Sequence, residues 1–352
     1  MPAKSRLLSL DVFRGITIAM MILVNNPGSW KDIYWPLEHA EWHGWTPTDM
    51  VFPFFLWISG VAMTLSFARR RTEGADRGRL LAHTARRAAT IFAIGLLLNL
   101  IPKFDFAHVR IPGVLQRIAV CYFFATLIYL YTSRKGQIIA AAALLCAYTA
   151  IMLFLPFPGA VADRWGVDSN AARYIDGMLL EGHMWSKSKV WDPEGALSTL
   201  PAIATVLFGV LAANYLRSGA ILTAAGLLLG LVLPINKSLW TPSFVLLMAG
   251  LASMAFGALR WWIDEKGNAQ GWKFFEIYGT NSIVSFVLAG AIGRILSMTQ
   301  VQGLPTGQWL FQTVFAPLAS PANASVLYAL ATVAAVFVVV YTLYVKRIMV
   351  RL

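Results

Sequence analysis

Two histidines four residues apart, His39 and His43, stand in the segment NPGSWKDIYWPLEHAEWHGWTPTDM with Trp30, Trp35, Trp42 and Trp45. Tryptophan alone at this density reads as an aromatic belt at a membrane boundary. Imidazole is a poor belt residue but a good acid, base or nucleophile near neutral pH, so His39 is a candidate for chemistry. The pair also raises a metal site, but no third ligand stands at a diagnostic spacing, and no metal is expected. Asp49 has two readings: an acid in the first turn of the next helix, after a Thr46 or Thr48 cap, or a member of the site.

Upstream, the run LDVFRGITIAMMILVNN carries Asp11, Arg14 and Asn25 in an otherwise apolar stretch. On a helix Arg14 and Asn25 fall about 20° apart in azimuth and ~16 Å apart along the axis. One stripe therefore presents a cation near one end and an amide near the other, and it must face protein or a wet cavity rather than lipid. The other reading of Arg14 is an i,i+3 pair with Asp11 that anchors the helix at the interface.

Three further segments place polar groups where spans begin or meet: Arg110 to Arg117 (RIPGVLQR, with Gln116), Trp191 to Gly195 (WDPEG, with Asp192 and Glu194) and Pro234 to Trp240 (PINKSLW, with Asn236 and Lys237). Together with the His39 loop they converge on one face of a helix bundle, an arrangement suited to a polar ligand at the membrane boundary. Asn281 and Ser282, in GTNS, open a later helix at the opposite side and read as close packing or as ligand contacts. No role is assigned to His83, His108 or His183.

The elements that must position these residues follow from composition. The chain has 352 residues, 58% hydrophobic and only 13% charged, against roughly 25% charged in a soluble domain. That leaves too little polar surface to cover a globule in water, so the solvent is lipid. Apolar runs at about 8–25, 50–68, 86–101, 112–131, 137–155, 197–216, 219–234, 242–259, 279–297 and 324–345 predict an all-α polytopic bundle of about ten transmembrane helices. The run at 219–234 is marginal in length, and that at 279–297 is interrupted by Gly and Arg294. Cys121 and Cys146 lie inside apolar runs, which argues against a disulfide framework. No cleavable signal peptide is evident. The polar stretch 156–196 is too long for a simple connector and is expected to fold over the bundle as part of one domain, 1–352.

The net charge of +12 follows from where Lys and Arg collect rather than from nucleic-acid binding. Alternate connections hold 18 of the 29 basic residues, among them Lys4, Arg6, the run 69–87 and Arg351, against 10 on the other side, with Arg14 inside the first helix. The richer side is predicted cytoplasmic, with both termini there.

The pieces LDVFRG, HAEWHGWTPTDMVFPFFLWISG, RIPGVLQR, WDPEG, PINKSLW and TNSI, in this order over residues 10–283, resemble the heparan-α-glucosaminide N-acetyltransferase family and its bacterial relatives. The resemblance implies transfer of acetyl from cytosolic acetyl-CoA to the amine of a glucosamine residue beyond the membrane. It aligns His39 with the family's catalytic histidine and Asn25 with the asparagine that assists it, and implies a homodimer. Arg14, Asp49, Arg110, Gln116, Arg117, Asp192, Glu194, Asn236, Lys237, Trp240, Asn281 and Ser282 are the expected substrate and acetyl-CoA contacts. This chain starts at the first family helix and has Trp42-His43-Gly44 where lysosomal members have Trp-Asn-Gly, which points to a bacterial inner-membrane enzyme acting on an amino sugar or glycan. Direct attack and a two-step route through acetyl-His39 both fit. Two rival readings stand: an O-acetyltransferase of envelope glycans, favoured by the LDVFRG start, and a secondary transporter, disfavoured by the absence of an internal repeat.

Overall fold

The computed structural model describes residues 7–101 and 103–350, so Lys4, Arg6 and Arg351 of the charge count lie outside the described residues. The helices are α1 (Leu8–Asn25), α2 (Val51–Thr72), α3 (Arg77–Leu100), α4 (Val114–Tyr131), α5 (Arg134–Phe154), α6 (Ala171–Leu180), α7 (Thr199–Leu211), α8 (Tyr215–Leu229), α9 (Pro242–Arg260), α10 (Lys273–Thr280), α11 (Ser282–Met298), α12 (Thr306–Leu310) and α13 (Pro321–Val345). Among the described residues one short hairpin, Gln300–Val301 with Leu304–Pro305, is the extent of sheet.

Among the described residues seven helices are long and apolar enough to cross a membrane, and an eighth crossing follows if α10 and α11, bent by 85° at Asn281, count as one span. The helices α7 and α8 have 13 and 15 residues, so at 1.5 Å per residue each falls short of the ~30 Å hydrocarbon thickness. A count of ten is reached only by including them. The break in the ninth run sits at Asn281, not at its glycines or Arg294, since α11 runs unbroken to Met298. The basic run 69–87 is mostly helix: α2 ends at Thr72, and the Asp76 side chain caps α3 by accepting from the Arg79 N–H at 2.7 Å.

Burial ranks the helices. The apolar windows of α1, α2 and α9 are 67% buried, against 22–28% for α3, α5 and α13, so the first set forms the centre and the second the lipid-facing perimeter. Glycines let the central helices touch backbone to backbone, as expected where lipid supplies no hydrophobic drive between helices. A Cβ at Gly15 would stand 1.7 Å from the Phe275 carbonyl oxygen, and one at Gly279 1.8 Å from that of Asp11, which locks α1 against α10. Gly60 and Gly209 do the same for α2 and α7.

The connections after α1, α3, α5, α8 and α11 meet at one end of the bundle. Gly44 N–H donates to the Ile235 carbonyl (2.7 Å), Ile111 N–H to that of His183 (2.9 Å) and the Trp42 indole to that of Trp165 (2.8 Å). Residues 156–196 carry α6 and share a small core with the end of α5, where Tyr148 and Met152 meet Ala171, Ala172, Leu197 and Leu239. At the opposite end Ser9 bonds Asp264, and Arg134 donates to the Leu211 carbonyl at 2.9 Å.

Candidate active site

The chain between α1 and α2 is irregular because Pro27, Gly28, Pro36 and Gly44 deny it a continuous helix. It re-enters helix at Pro47 through a 3-10 turn in which the Thr46 N–H donates to Asp49 Oδ2 at 3.0 Å. That oxygen also accepts from the Ala40 N–H (3.0 Å) and the Thr46 hydroxyl (3.2 Å). The two backbone N–H donors fix the carboxylate, the Thr46 hydroxyl giving its shorter bond to the Glu38 carbonyl (2.5 Å), and they turn Oδ1 toward His39, whose Nδ1 lies 2.7 Å away. Asp49 is both readings at once: it caps the helix with one oxygen and orients the imidazole with the other. Its side chain is 1% exposed and that of His39 42%, so the acid is sealed while the ring stays open.

Lys237 completes the cluster. Its Nζ lies 3.2 Å from Asp49 Oδ1 and 2.9 Å from His39 Nδ1. Nδ1 cannot donate to Asp49 and accept from an ammonium together. With the carboxylate as Nδ1 partner, the lysine bonds Asp49 and the ring lone pair stands on Nε2. Burial pushes the Lys237 ammonium below the usual lysine range, against the pull of Asp49 and Glu194. The lysine is held in place by its neighbour Asn236, whose Oδ1 accepts from the Leu239 N–H (2.8 Å) and whose Nδ2 meets His43 Nδ1 (3.3 Å). The two histidines thus face different partners, Asp49 and Asn236, rather than one common centre.

A second ionic cluster lies beside the first. Arg110 grips Asp192 with two nitrogens (2.8 and 2.6 Å) and Glu194 with one (2.5 Å). Arg117, in the first turn of α4, is buried. It donates to the Gly195 carbonyl at 3.1 Å and to the Ser198 hydroxyl, and its guanidinium carbon lies 5.1 Å from the Trp240 ring centroid. Among the described residues its Nε and Nη1, and Gln116 Nε2, have no hydrogen-bond partner. Trp240 is left-handed, with φ of 55°, and its indole donates to the Thr205 hydroxyl at 3.0 Å; a bulky residue in that region stores strain. Asp176 on α6 accepts from the Ala196 N–H at 2.8 Å, and burial pushes its carboxyl up to about 6. Sequence reasoning missed Asp176; an acid at the sixth position of the apolar helix AARYIDGMLL was the available signal.

The remaining candidates lie elsewhere. Asn25 ends α1 at the His39 end and is exposed, but among the described residues it makes no hydrogen bond to His39. Arg14 sits near the opposite end, donating to Asp11 Oδ1 (3.4 Å) and the Gly279 carbonyl (3.3 Å). Asn281, at the bend, bonds the chain's last described residues: its Nδ2 donates to the Ile348 carbonyl (3.2 Å) and its Oδ1 accepts from the Val350 N–H (3.0 Å). Ser282 is buried beside it. Between the ends, Ile18 and Met21 of α1, Phe55, Leu115, Ile118 and Phe286 line a small apolar void with room for about one water. Ile18 and Met21 stand four and seven residues after Arg14, on the stripe that ends at Asn25.

Residues 6–162, which include Arg14, Asn25, the His39–Asp49 pair and Arg110 to Arg117, match the family model described as heparan-α-glucosaminide N-acetyltransferase, catalytic. Over this stretch the chain is similar to the catalytic part of the heparan-α-glucosaminide N-acetyltransferase family. The heparan-α-glucosaminide N-acetyltransferase of Mus musculus is 29% identical over 81% of this chain, and that of Homo sapiens 30% identical over 80%. These alignments take in 53% and 52% of the relatives, so the chain spans about half the length of the curated proteins it matches. The second half of the site, Asp192, Glu194, Asn236 and Lys237, lies outside the stretch matched by the family's catalytic model.

Proposed function

We propose that the chain is a transmembrane acetyltransferase moving acetyl from acetyl-CoA, taken up at the Arg14 end, to the amine of a glucosamine-type sugar at the His39 end. The observation that carries this reading is the half-exposed His39 ring whose Nδ1 lies 2.7 Å from the buried Asp49 carboxylate. With Nδ1–H donating there, Nε2 takes the proton as the sugar nitrogen attacks the thioester carbon. The N–C bond forms, the C–S bond breaks, and coenzyme A leaves as a thiolate that recovers the proton from His39 or water. Asp49 stabilises the transient imidazolium, and Lys237 holds the same carboxylate oxygen from the other side. Asn25 donates to the developing oxyanion, a contact of the kind worth roughly 3 kcal/mol. Arg110, Gln116, Arg117, Asp192, Glu194, Asn236 and Trp240 frame the acceptor end.

Acetyl-CoA carries phosphate charge and cannot cross lipid, so its nucleotide must stay at one mouth while its arm reaches in. Arg14 suits the nucleotide, and the apolar side chains along the stripe from Arg14 to Asn25 suit the arm once they part to admit it. The Lys and Arg count supports both termini cytoplasmic and the acceptor beyond the membrane; ten crossings, which rest on the apolar runs, and residues 156–196 folded over a single domain are parts of the same proposal. A bacterial inner membrane and an amino-sugar acceptor complete the proposal.

The test is detergent-purified protein with radiolabelled acetyl-CoA and glucosamine, comparing wild type with His39→Ala. We expect a base-stable amide product whose formation falls at least ~10³-fold in the variant while acetyl-CoA still binds. A base-labile ester would assign the acceptor as a hydroxyl. A folded wild type that acetylates no amino sugar overturns the reading.

A further inference from the structure

The end of the bundle opposite His39 gathers cations at one corner, where α2 ends and α3 begins. Residues 69–87 hold seven arginines and one histidine against two acids, Glu73 and Asp76. Both acids are engaged: Glu73 Oε1 pairs with Arg69 at 2.9 Å, and Asp76 caps α3. Among the described residues Arg70, Arg71, Arg86 and Arg87 have no carboxylate partner. On α3, Arg79, His83, Arg86 and Arg87 fall within an arc of about 100°, beside the buried face of Leu80, Thr84 and Ile91. Arg70 joins them from α2, since Arg70, Arg86 and Arg87 all lie within electrostatic reach of the His83 ring.

Two of these guanidinium groups are held in place by α4. That of Arg87 lies 5.0 Å from the Tyr122 ring centroid, and that of Arg71 lies 5.7 Å from the Tyr129 centroid, two turns further along the same face. Stacking uses the flat face of a guanidinium and leaves its N–H edge for an oxyanion. Arg87 Nε is buried and, among the described residues, has no hydrogen-bond partner. A buried donor without an acceptor is costly. Arginines that only orient a chain in the bilayer act by number and need no such arrangement. Clustered cations, an orphaned buried donor and no free acid describe a site that lacks an anion.

The position of the cluster selects the anion. The apolar window of α3 is only 28% buried, so the helix faces lipid. Arg86 and Arg87 stand where its apolar run begins, at the level where headgroups meet acyl chains. We propose that Arg70, Arg86 and Arg87, with His83 beside them, bind the phosphate headgroup of an anionic phospholipid at the α2–α3–α4 corner. The two adjacent arginines of α3 donate to the phosphate oxygens, and the lipid supplies the acceptor that Arg87 Nε lacks. Leu97, three turns beyond Arg86 on the same face and 53% exposed, gives the acyl chains a surface to lie on. The proposal rests on these helices crossing the bilayer and not on acetyl transfer.

The experiment titrates the full chain in neutral detergent with a short-chain phosphatidylglycerol, with the matching phosphatidylcholine and with coenzyme A. It reads bound radiolabelled lipid and melting temperature. Phosphatidylglycerol is expected to bind and raise the melting temperature, and phosphatidylcholine to do neither. Arg86→Gln with Arg87→Gln should raise the Kd for phosphatidylglycerol at least ~10-fold, the factor expected for two arginines near a headgroup. Arg69→Gln with Arg77→Gln removes the same charge from the same segment away from the cluster, and should leave that Kd within about twofold. Arg87→Lys keeps the charge and the fold but loses the planar fork, so it too should weaken binding and serves if the double variant fails to fold. Equal binding of both lipids, equal loss in the two double variants, or an Arg87→Lys protein that binds like wild type overturns the proposal. Displacement of phosphatidylglycerol by coenzyme A would assign the cluster to the nucleotide and overturn it as well. Neither readout involves acetyl transfer, so failure here leaves the acetyltransferase reading standing.

Discussion

At the His39 end, charged side chains bond one another over long stretches of sequence. His39 and Asp49 meet Lys237, and Arg110 meets Asp192 and Glu194. At the opposite end the ion pairs are local, such as Arg14 with Asp11 and Lys273 with Glu276, and side chains also tie distant backbone: Arg14 reaches the Gly279 carbonyl, and Asn281 clasps residues 348 and 350. The first pattern leaves functional groups poised and partly open; the second fixes where helices break and how the chain is tied down. The midsection between them has neither. It is held by glycine crossings such as Gly15 on Phe275, so the two ends keep their separation along a rigid core.

The largest expected effect separates the patterns by function. Asp49→Asn keeps the volume but offers His39 an amide in place of a charged acceptor, so the ring loses its fixed tautomer and its counter-charge. By comparison with Ser-His-Asp enzymes, kcat should fall by roughly 10³–10⁴. The KM for acetyl-CoA should hold, because the nucleotide end is remote. Initial-rate kinetics on purified protein measure both. A loss below tenfold would mean Asp49 serves the helix cap alone, and the His39 end would then be frame like the other.

How much of this the sequence disclosed follows from the range of the interactions. Apolar runs and the Arg14–Asn25 stripe are local periodicities, and the helices follow them. The bend at Asn281 was hidden because neither residue type nor hydropathy marks it, whereas the visible signals, glycines and Arg294, sit inside a regular α11. Asp49 was ambiguous because capping and orienting use different oxygens of one carboxylate, and the non-helical path from His39 fixes no geometry. Lys237 and His39 are 198 positions apart, and Arg110 and Asp192 are 82 apart. No spacing rule spans such distances; only convergence of several polar connections on one end hinted at them.

A second, smaller effect sharpens what the ionic end costs. Asp176 is buried against Ala196 and Gly195, and burial raises its carboxyl to about 6 from an ordinary 3.8. The folded state therefore holds a proton that the unfolded chain releases. Stability is greatest below the unfolded value, declines as pH rises from about 4 to 6, and stays reduced above that. Asp176→Asn keeps an acceptor for the Ala196 N–H and removes the penalty. Its melting temperature in detergent should match wild type near pH 4 and exceed it above pH 6, by an amount equivalent to at most about 3 kcal/mol. A constant offset across pH would show that Asp176 is ionised without cost and that Arg117 offsets its burial.

The smallest effect tests the frame. Asn281→Ala removes two hydrogen bonds to the terminal backbone at 348 and 350 and nothing else polar at that position. With net values of about 1 kcal/mol per bond, and the freed backbone groups close enough to the surface to recruit water, thermal stability should fall by about 1–2 kcal/mol. Both groups of the Asn281 amide are already taken, so a ligand there would first have to displace the tail. If the amide only ties down the tail, acetyl transfer and the KM for acetyl-CoA stay within about threefold of wild type, a shift worth under 1 kcal/mol. A tenfold rise in that KM with an unchanged melting temperature would mean the opposite. The amide would then be a nucleotide contact for which the tail stands in, and the Arg14 end would hold a site as open to ligand as the one around His39.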